Sequence, residues 1–284
     1  MPTLRTLHIR EDTTTRRCRA PLLPYASRLL CCLVGWMVLS STASSQQVQL
    51  TVGALKSVYL VRYGQSYGTG FILAADEKVY LVTAAHVVGG MKSAEKISVR
   101  TGWDKWNDFT VIRIPVPNKV DIAILTTDRP ISDPGMAIEA GSMQGLGSNP
   151  DVYFLGFPYA GARTLNGRTY SLSSSYREGG VTYPMALVKH GIISGVDARD
   201  LSSRILFIDA LNNPGFSGSP VLFWDQQSKL PKVLGVVSAR IPDELMVPVG
   251  VQPPPTWDNS GITIASDISG ALEAIRQYRA GAVR

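Results

Sequence analysis

The sequence predicts an all-β protein: two antiparallel barrels or sandwiches that share an interface, closed by a helix at the C-terminus. Three observations lead there. Period-two apolar runs dominate beyond residue 45, as in "VYLVRY" at 58–63 and "VYLVTA" at 79–84. These runs fall into two sets of similar size, separated by the Pro-, Gly- and Ser-rich stretch 129–151, "RPISDPGMAIEAGSMQGLGSNPD". Helical spacing is confined to "DISGALEAIRQYR" near the C-terminus.

The first forty-five residues read as a targeting segment. Arg-rich sequence to Arg28 precedes the apolar run "LLCCLVGWMVL" at 29–39 and the small residues "SSTASS", the order of a secretory signal peptide. The run is shorter than the roughly 18 residues expected of a membrane-spanning helix. Export to the periplasm or the medium is therefore the expectation, and an uncleaved N-terminal anchor, with the membrane as partner, the lesser alternative. Residues 46–140 follow as the first β unit, adding "FTVIRI" at 109–114 and "DIAIL" at 121–125. Residues 141–268 form the second, with "VYFLGF" at 152–157, "RILFIDA" at 204–210, "SPVLF" at 219–223, "VLGVVSA" at 233–239 and "GITIAS" at 261–266. The Pro-rich "VPVGVQPPPTW" at 247–257 reads as a long surface loop. Residues 269–284 carry the helix and tail, with Ile268, Leu272 and Ile275 on one side and Asp267 or Ser269 as N-cap.

Composition excludes several classes. A chain of 284 residues with 45% hydrophobic content can bury a substantial core. Its net charge of +6 is concentrated in the arm, where six Arg face Glu11 and Asp12, so the inference from a basic chain to a nucleic-acid partner loses its support and none is expected. The cysteines, Cys18, Cys31 and Cys32, all lie in the arm, so a mature chain has no disulfide and holds its fold by packing.

Histidine is scarce: His8 lies in the arm, leaving His86 and His190. His86 ends "LVTAAH", a strand running into small residues, and Asp121 opens the strand "DIAIL", where its carboxylate can accept from an imidazole N–H. Asp104, Asp108 and Asp128 compete for that role, and the alternation after Asp121 favours it. Ser217 stands in "NNPGFSGSPV", between glycines that permit a bend turning the N–H groups of Gly215 and Ser217 toward one point. A serine hydroxyl needs an adjacent base to act as a nucleophile, and paired donors suit a developing oxyanion. The order His, Asp, Ser differs from the Ser, Asp, His of α/β-hydrolases, and Ser219 stands where their elbow has its second glycine.

The phrases "GTGFIL", "LVTAAHVV", "DIAIL", "DALNNPGFSGSPV", "VLGVVS" and "GITIAS", in that order over roughly residues 55–268, resemble the chymotrypsin-like serine peptidases, in the bacterial branch of HtrA/Deg proteases and glutamyl endopeptidases. The resemblance implies two six-stranded antiparallel β-barrels with the site between them and protein or peptide substrates. It implies His86 as general base, Asp121 as its orienting acid, Ser217 as nucleophile, and an oxyanion hole from Gly215 and Ser217. By the same likeness Ser238 would bond toward Asp121, Leu211 would lie near the floor of the primary specificity pocket, and the backbone at Ala239 and Arg240 would pair with an extended substrate. Leu211 favours an apolar substrate side chain and Arg240 an acidic one. No metal or organic cofactor is implied, and no PDZ domain is expected after the helix. Phe216 and Ser219 depart from the family's common residues. Phe216 offers no partner to a freed N-terminus and so argues against activation by that route, and it raises the alternative of a catalytically impaired, protease-fold binding protein. His190 has no matching role and reads as structural or pocket-lining.

Overall fold

The computed structural model describes residues 50–116, 120–146, 151–200, 203–243 and 258–282. The targeting segment, the three cysteines and the Pro-rich 247–257 loop lie outside them, as does the Arg240 side chain. Six strands build the first barrel: β1 (Val58–Tyr63), β2 (Ser66–Ala75), β3 (Lys78–Thr83), β4 (Ala94–Gly102), β5 (Lys105–Ile114) and β6 (Ala123–Thr127). They pair in the order β1-β4-β5-β6-β3-β2, and β1 closes on β2. β7 (Ile138–Glu139), inside the stretch expected to be a connection, runs parallel to β2 with Leu73 opposite Ile138.

β8 (Asp151–Gly156) opens the second half. Two hairpins follow, β9 (Ala162–Leu165) with β10 (Arg168–Ser171), and β11 (Ser174–Glu178) with β12 (Val181–Met185). β13 (Leu187–Asp197), β14 (Ile205–Asp209), β15 (Pro220–Asp225), β16 (Leu230–Asp243) and β17 (Asp258–Asp267) then complete a closed barrel with β8, in the order β13-β14-β17-β16-β15-β8. The double six-stranded barrel is thus as expected. The hairpins are unforeseen, and so are β4 and β13, which no run quoted above covers. Every strand residue of β9 and β10 is exposed, so the segment lacks the apolar alternation that marks a barrel strand. The second hairpin reaches the first barrel, where Trp103 N–H donates to Thr182 O at 2.9 Å and Lys56 Nζ pairs with Glu178 at 2.5 Å.

Alternation within the barrel strands divides the core. On β3, Leu81 faces the interior of its own barrel, while Tyr80 and Val82 join a cluster lying between the barrels. On β15, Val221 and Phe223 fill the second barrel, and Leu222 points into the same shared cluster. Strands buried on both faces read as near-continuous apolar runs such as "VYLV". The C-terminal helix, Ser269–Arg279, closes the shared core with Ala271, Ala274 and Ile275, and Ile268 packs beside them. Leu272 is only partly buried, because the buried stripe runs through Ala271, Ala274 and Ile275 and leaves it at the edge. The N-cap position belongs to Ile268, which offers no side-chain bond; the Asp267 carboxylate reaches over it and accepts from Ser269 N–H at 2.7 Å.

Candidate active site

β3 and β6 are antiparallel neighbours with Thr83 opposite Ala123, so the end of one strand lies beside the start of the other. That adjacency brings His86, in the 3-10 turn Ala85–Val88 after β3, to Asp121 just ahead of β6. His86 Nδ1 lies 2.7 Å from Asp121 Oδ2, and the His86 backbone N–H donates to Oδ1 at 3.0 Å. Ala85 N–H donates to the Asp121 carbonyl at 3.3 Å, which fixes the carboxylate relative to the turn. With Nδ1 donating, the neutral ring keeps its lone pair on Nε2. The hydrogen bond that His86 donates to Asp121 raises the His86 pKa above its ordinary 6.5, partial burial opposes the rise, and the carboxylate charge adds to it.

Ser217 comes from the other barrel, on the tight turn ahead of β15. Gly218 follows at φ +88°, and a Cβ there would stand 2.0 Å from Thr69 O, 2.4 Å from Thr83 Oγ1 and 2.9 Å from Ala84 N. The serine loop is therefore pressed against the residues that lead into His86. The His86 ring is bonded to Asp121 and not to Ser217, and catalytic hydrogen bonds of this kind commonly close only when substrate is bound.

The peptide groups around Gly215 have defined directions. Pro214 C=O accepts from Tyr159 N–H at 2.7 Å, and Gly215 C=O accepts from Thr69 Oγ1 at 2.8 Å. In a trans peptide the N–H points opposite to the C=O, so the Gly215 N–H is directed away from the Phe157–Tyr159 wall. Gly215 holds φ +100°, and a Cβ would stand 2.4 Å from Phe157 O, so only glycine fits this turn.

Phe216 faces the other way. It is fully buried in the second barrel, with its ring edge-on to Phe154 at 5.3 Å and 81°. Its N–H donates to Asn213 O at 3.2 Å, and its C=O accepts from Ser219 N–H at 2.9 Å. Lys189 of β13 lies over the same ring at 4.9 Å and donates to Leu211 O at 2.5 Å and Asn213 Oδ1 at 2.6 Å. Burial holds this ammonium below its ordinary pKa.

The remaining residues singled out from the sequence are spread around the loop. Leu211 is 59% exposed, whereas its neighbour Asn212 is buried and donates from Nδ2 to Ala239 O at 3.0 Å. Ser238 Oγ donates to Ile264 O at 3.3 Å, so its hydroxyl is directed along the sheet and not toward Asp121. Ala239 and Arg240 continue β16, paired with Ile264 and Thr263 of β17. His190 stands apart on β13, bonded to Asp151 at 2.8 Å and tilted on Tyr153. Among the described residues no His, Cys, Asp and Glu cluster is arranged to hold a metal ion.

The model of the trypsin-like peptidase domain matches residues 68–231. The chain belongs to that family of serine peptidases. Its fold is similar to the HtrA-type protease AlgW, solved with a tripeptide, at a TM-score of 0.51 and 20% identity over 81% of this chain and 62% of AlgW. An AlgW structure with a decapeptide aligns at 0.50 and 16% identity, covering 80% of this chain and 65% of that one. Rv3671c from M. tuberculosis H37Rv, as an inactive Ser343Ala mutant, aligns at 0.51 and 20% identity over 82% of this chain and 92% of its own. Comparison with curated protein sequences finds no match. The chain spans under two thirds of the AlgW length.

Thr69, Tyr159 and Lys189 are the site's neighbours that residue-by-residue reading passes over. Thr69 stands in "GTGFIL", and its one signal was a polar residue at the head of a buried run whose other members are glycine or apolar.

Proposed function

We propose that the chain is an exported serine endopeptidase that cleaves protein or peptide substrates through an acyl-enzyme intermediate. Ser217 Oγ attacks the scissile carbonyl carbon while His86 Nε2 takes its proton, and Asp121 steadies the imidazolium that results. The negative charge on the tetrahedral oxygen is met by the N–H groups of Gly215 and Ser217. Collapse breaks the C–N bond, and His86 returns the proton to the leaving amine. Water then gives a proton to His86 and attacks the ester, releasing the acid product and Ser217. This chemistry calls for no metal or organic cofactor.

The observation that carries the reading is the 2.7 Å bond between His86 Nδ1 and Asp121, which leaves Nε2 as the ring's proton acceptor. The outward direction of the Gly215 N–H supports the second half of the mechanism. The alternative of a protease-fold binding protein drew on Phe216, and a ring packed on Phe154 beneath the loop lends it no support. A fluorophosphonate probe is expected to label the purified protein, and Ser217→Ala to abolish both labelling and casein hydrolysis. Labelling that survives the substitution would overturn the assignment.

The peptide is proposed to lie along β16. Beyond Val237 that strand keeps β17 on one side, while β15 has already turned away at Pro220, so the stretch Ser238–Arg240 offers an edge for an added strand. Leu211 would meet the substrate side chain, and the Asn212 amide ties the two walls together through Ala239 O. The peptide complexes of AlgW favour this kind of ligand. A peptide-library digest separates an apolar preference, from Leu211, from an acidic one, from Arg240. The arm of arginines and the apolar run at 29–39 support export. N-terminal sequencing of the exported protein should begin near residue 46, and a start at residue 1 in the membrane fraction would make the arm an anchor.

A further inference from the structure

Thr69 lies in the first barrel, yet it is bonded almost wholly to the second. Its side chain is fully buried. Thr69 N–H donates to Ser217 O at 2.8 Å, and Thr69 Oγ1 donates to Gly215 O at 2.8 Å while accepting from Phe157 N–H at 3.0 Å. Thr83 Oγ1 in turn donates to Thr69 O at 2.7 Å, on the strand that leads to His86. One threonine thus holds the carbonyls of both residues whose N–H groups form the proposed oxyanion hole. Its hydroxyl has one proton and uses it on Gly215, and a lone pair receives the wall that carries Tyr159.

The two carbonyls flanking Gly215 are held from different sides: Pro214 O by Tyr159 N–H and Gly215 O by the Thr69 hydroxyl. Tyr159 adopts a left-handed conformation at φ 52°, ψ 38°, followed by Ala160 at φ 57°, ψ 28°. Backbone strain of this kind persists only where surrounding contacts impose it, and the Phe157 N–H bond to Thr69 stands at the start of that turn. Releasing the hydroxyl frees Gly215 O, at a partly buried place, and the buried Phe157 N–H together.

We propose that Thr69 is a positioning residue, which sets the oxyanion hole through its hydroxyl by holding the 215–216 peptide directly and, through Phe157 N–H, the wall whose Tyr159 N–H holds the 214–215 peptide. This rests on the peptidase reading given above. Thr69→Val keeps the shape and removes the hydroxyl; it is expected to lower kcat about 10- to 100-fold, with KM for a small ester substrate within about twofold, because the loss falls on the transition state. The acid limb of the pH profile, which His86 sets, should not move. Thr69→Ser should restore kcat. A folded Thr69→Val with wild-type kcat would overturn the proposal while leaving the peptidase reading standing. If the wild type shows no Ser217-dependent hydrolysis, the peptidase reading fails, and a crystal structure of Thr69→Val still decides the positioning role: a turned 214–215 peptide supports it and an unchanged loop ends it. Should Thr69→Val not fold, amide exchange in the wild type decides. Protected Phe157 and Thr69 amides beside freely exchanging Gly215 and Ser217 amides support the clamp, and an unprotected Phe157 amide refutes it.

Discussion

Phe216 anchors the serine loop by packing, where an ion pair to a freed N-terminus would have done so by charge. The ring is fully buried against Phe154. Phe216→Ala should cost about 3–5 kcal/mol in equilibrium urea unfolding and abolish Ser217-dependent hydrolysis. Ser219 next along offers a contrast, since its Oγ is buried with no hydrogen-bond partner among the described residues. Ser219→Ala should therefore leave stability within about 1 kcal/mol of wild type or raise it, because an unsatisfied hydroxyl is removed. His86 supplies the pH dependence. Its pKa lies above 6.5 because Asp121 accepts from Nδ1, so kcat/KM should rise with pH to a plateau, with its midpoint above 6.5. The sign is opposite for stability: the His86–Asp121 pair contributes fully below the unfolded pKa, and that contribution is lost as pH rises through the folded one. Asp121→Asn should lower kcat by about 10⁴-fold and bring the midpoint down. The pairing of His86 with Asp121 was legible because histidine is scarce and the alternation after Asp121 set it apart from Asp104, Asp108 and Asp128. Thr69, Tyr159 and Lys189 act through backbone carbonyls, which every residue carries, and so leave almost no mark in sequence.

Strands were legible where apolar residues are dense or strictly alternate, as in β5, and the hairpins were not. β3 and β15 divide their apolar residues between a barrel interior and the shared core, which makes them dense and easily recognised. β9 and β10 face solvent on both sides, so "ARTLNGRTYS" has the texture of a loop. Its Asn166–Gly167 turn, with φ of 50° and 75°, carries the one hairpin signal present. Replacing residues 163–170 by a short Gly-rich turn should shift the thermal midpoint by only a few degrees, since no core side chain is lost. A larger drop in a melt followed by circular dichroism would mean that the hairpin supports the Tyr159 turn at its base. The second hairpin differs, because Glu178 and Thr182 bind the first barrel.

The molecule is held together by a core that belongs to neither barrel alone. Leu60, Phe71 and Val82 from one side meet Phe157, Leu222 and Val236 from the other, and the C-terminal helix seals them with Ile275. Unfolding should accordingly be a single transition, with tryptophan fluorescence and circular dichroism coincident; two separated transitions would show that the barrels are energetically independent. Apolar patterning announced two β units, but it did not announce how tightly they are joined at the site, because that joint is made of carbonyls and one buried hydroxyl. The bonds from Thr69 to Gly215 and Ser217 exist only when the barrels have met. A chain caught with one barrel folded and the other still forming lacks those bonds, and its serine and histidine have not met. Under the proposed mechanism, assembly itself is the safety catch: a newly made molecule remains harmless to its neighbours until the last contact between its halves is closed.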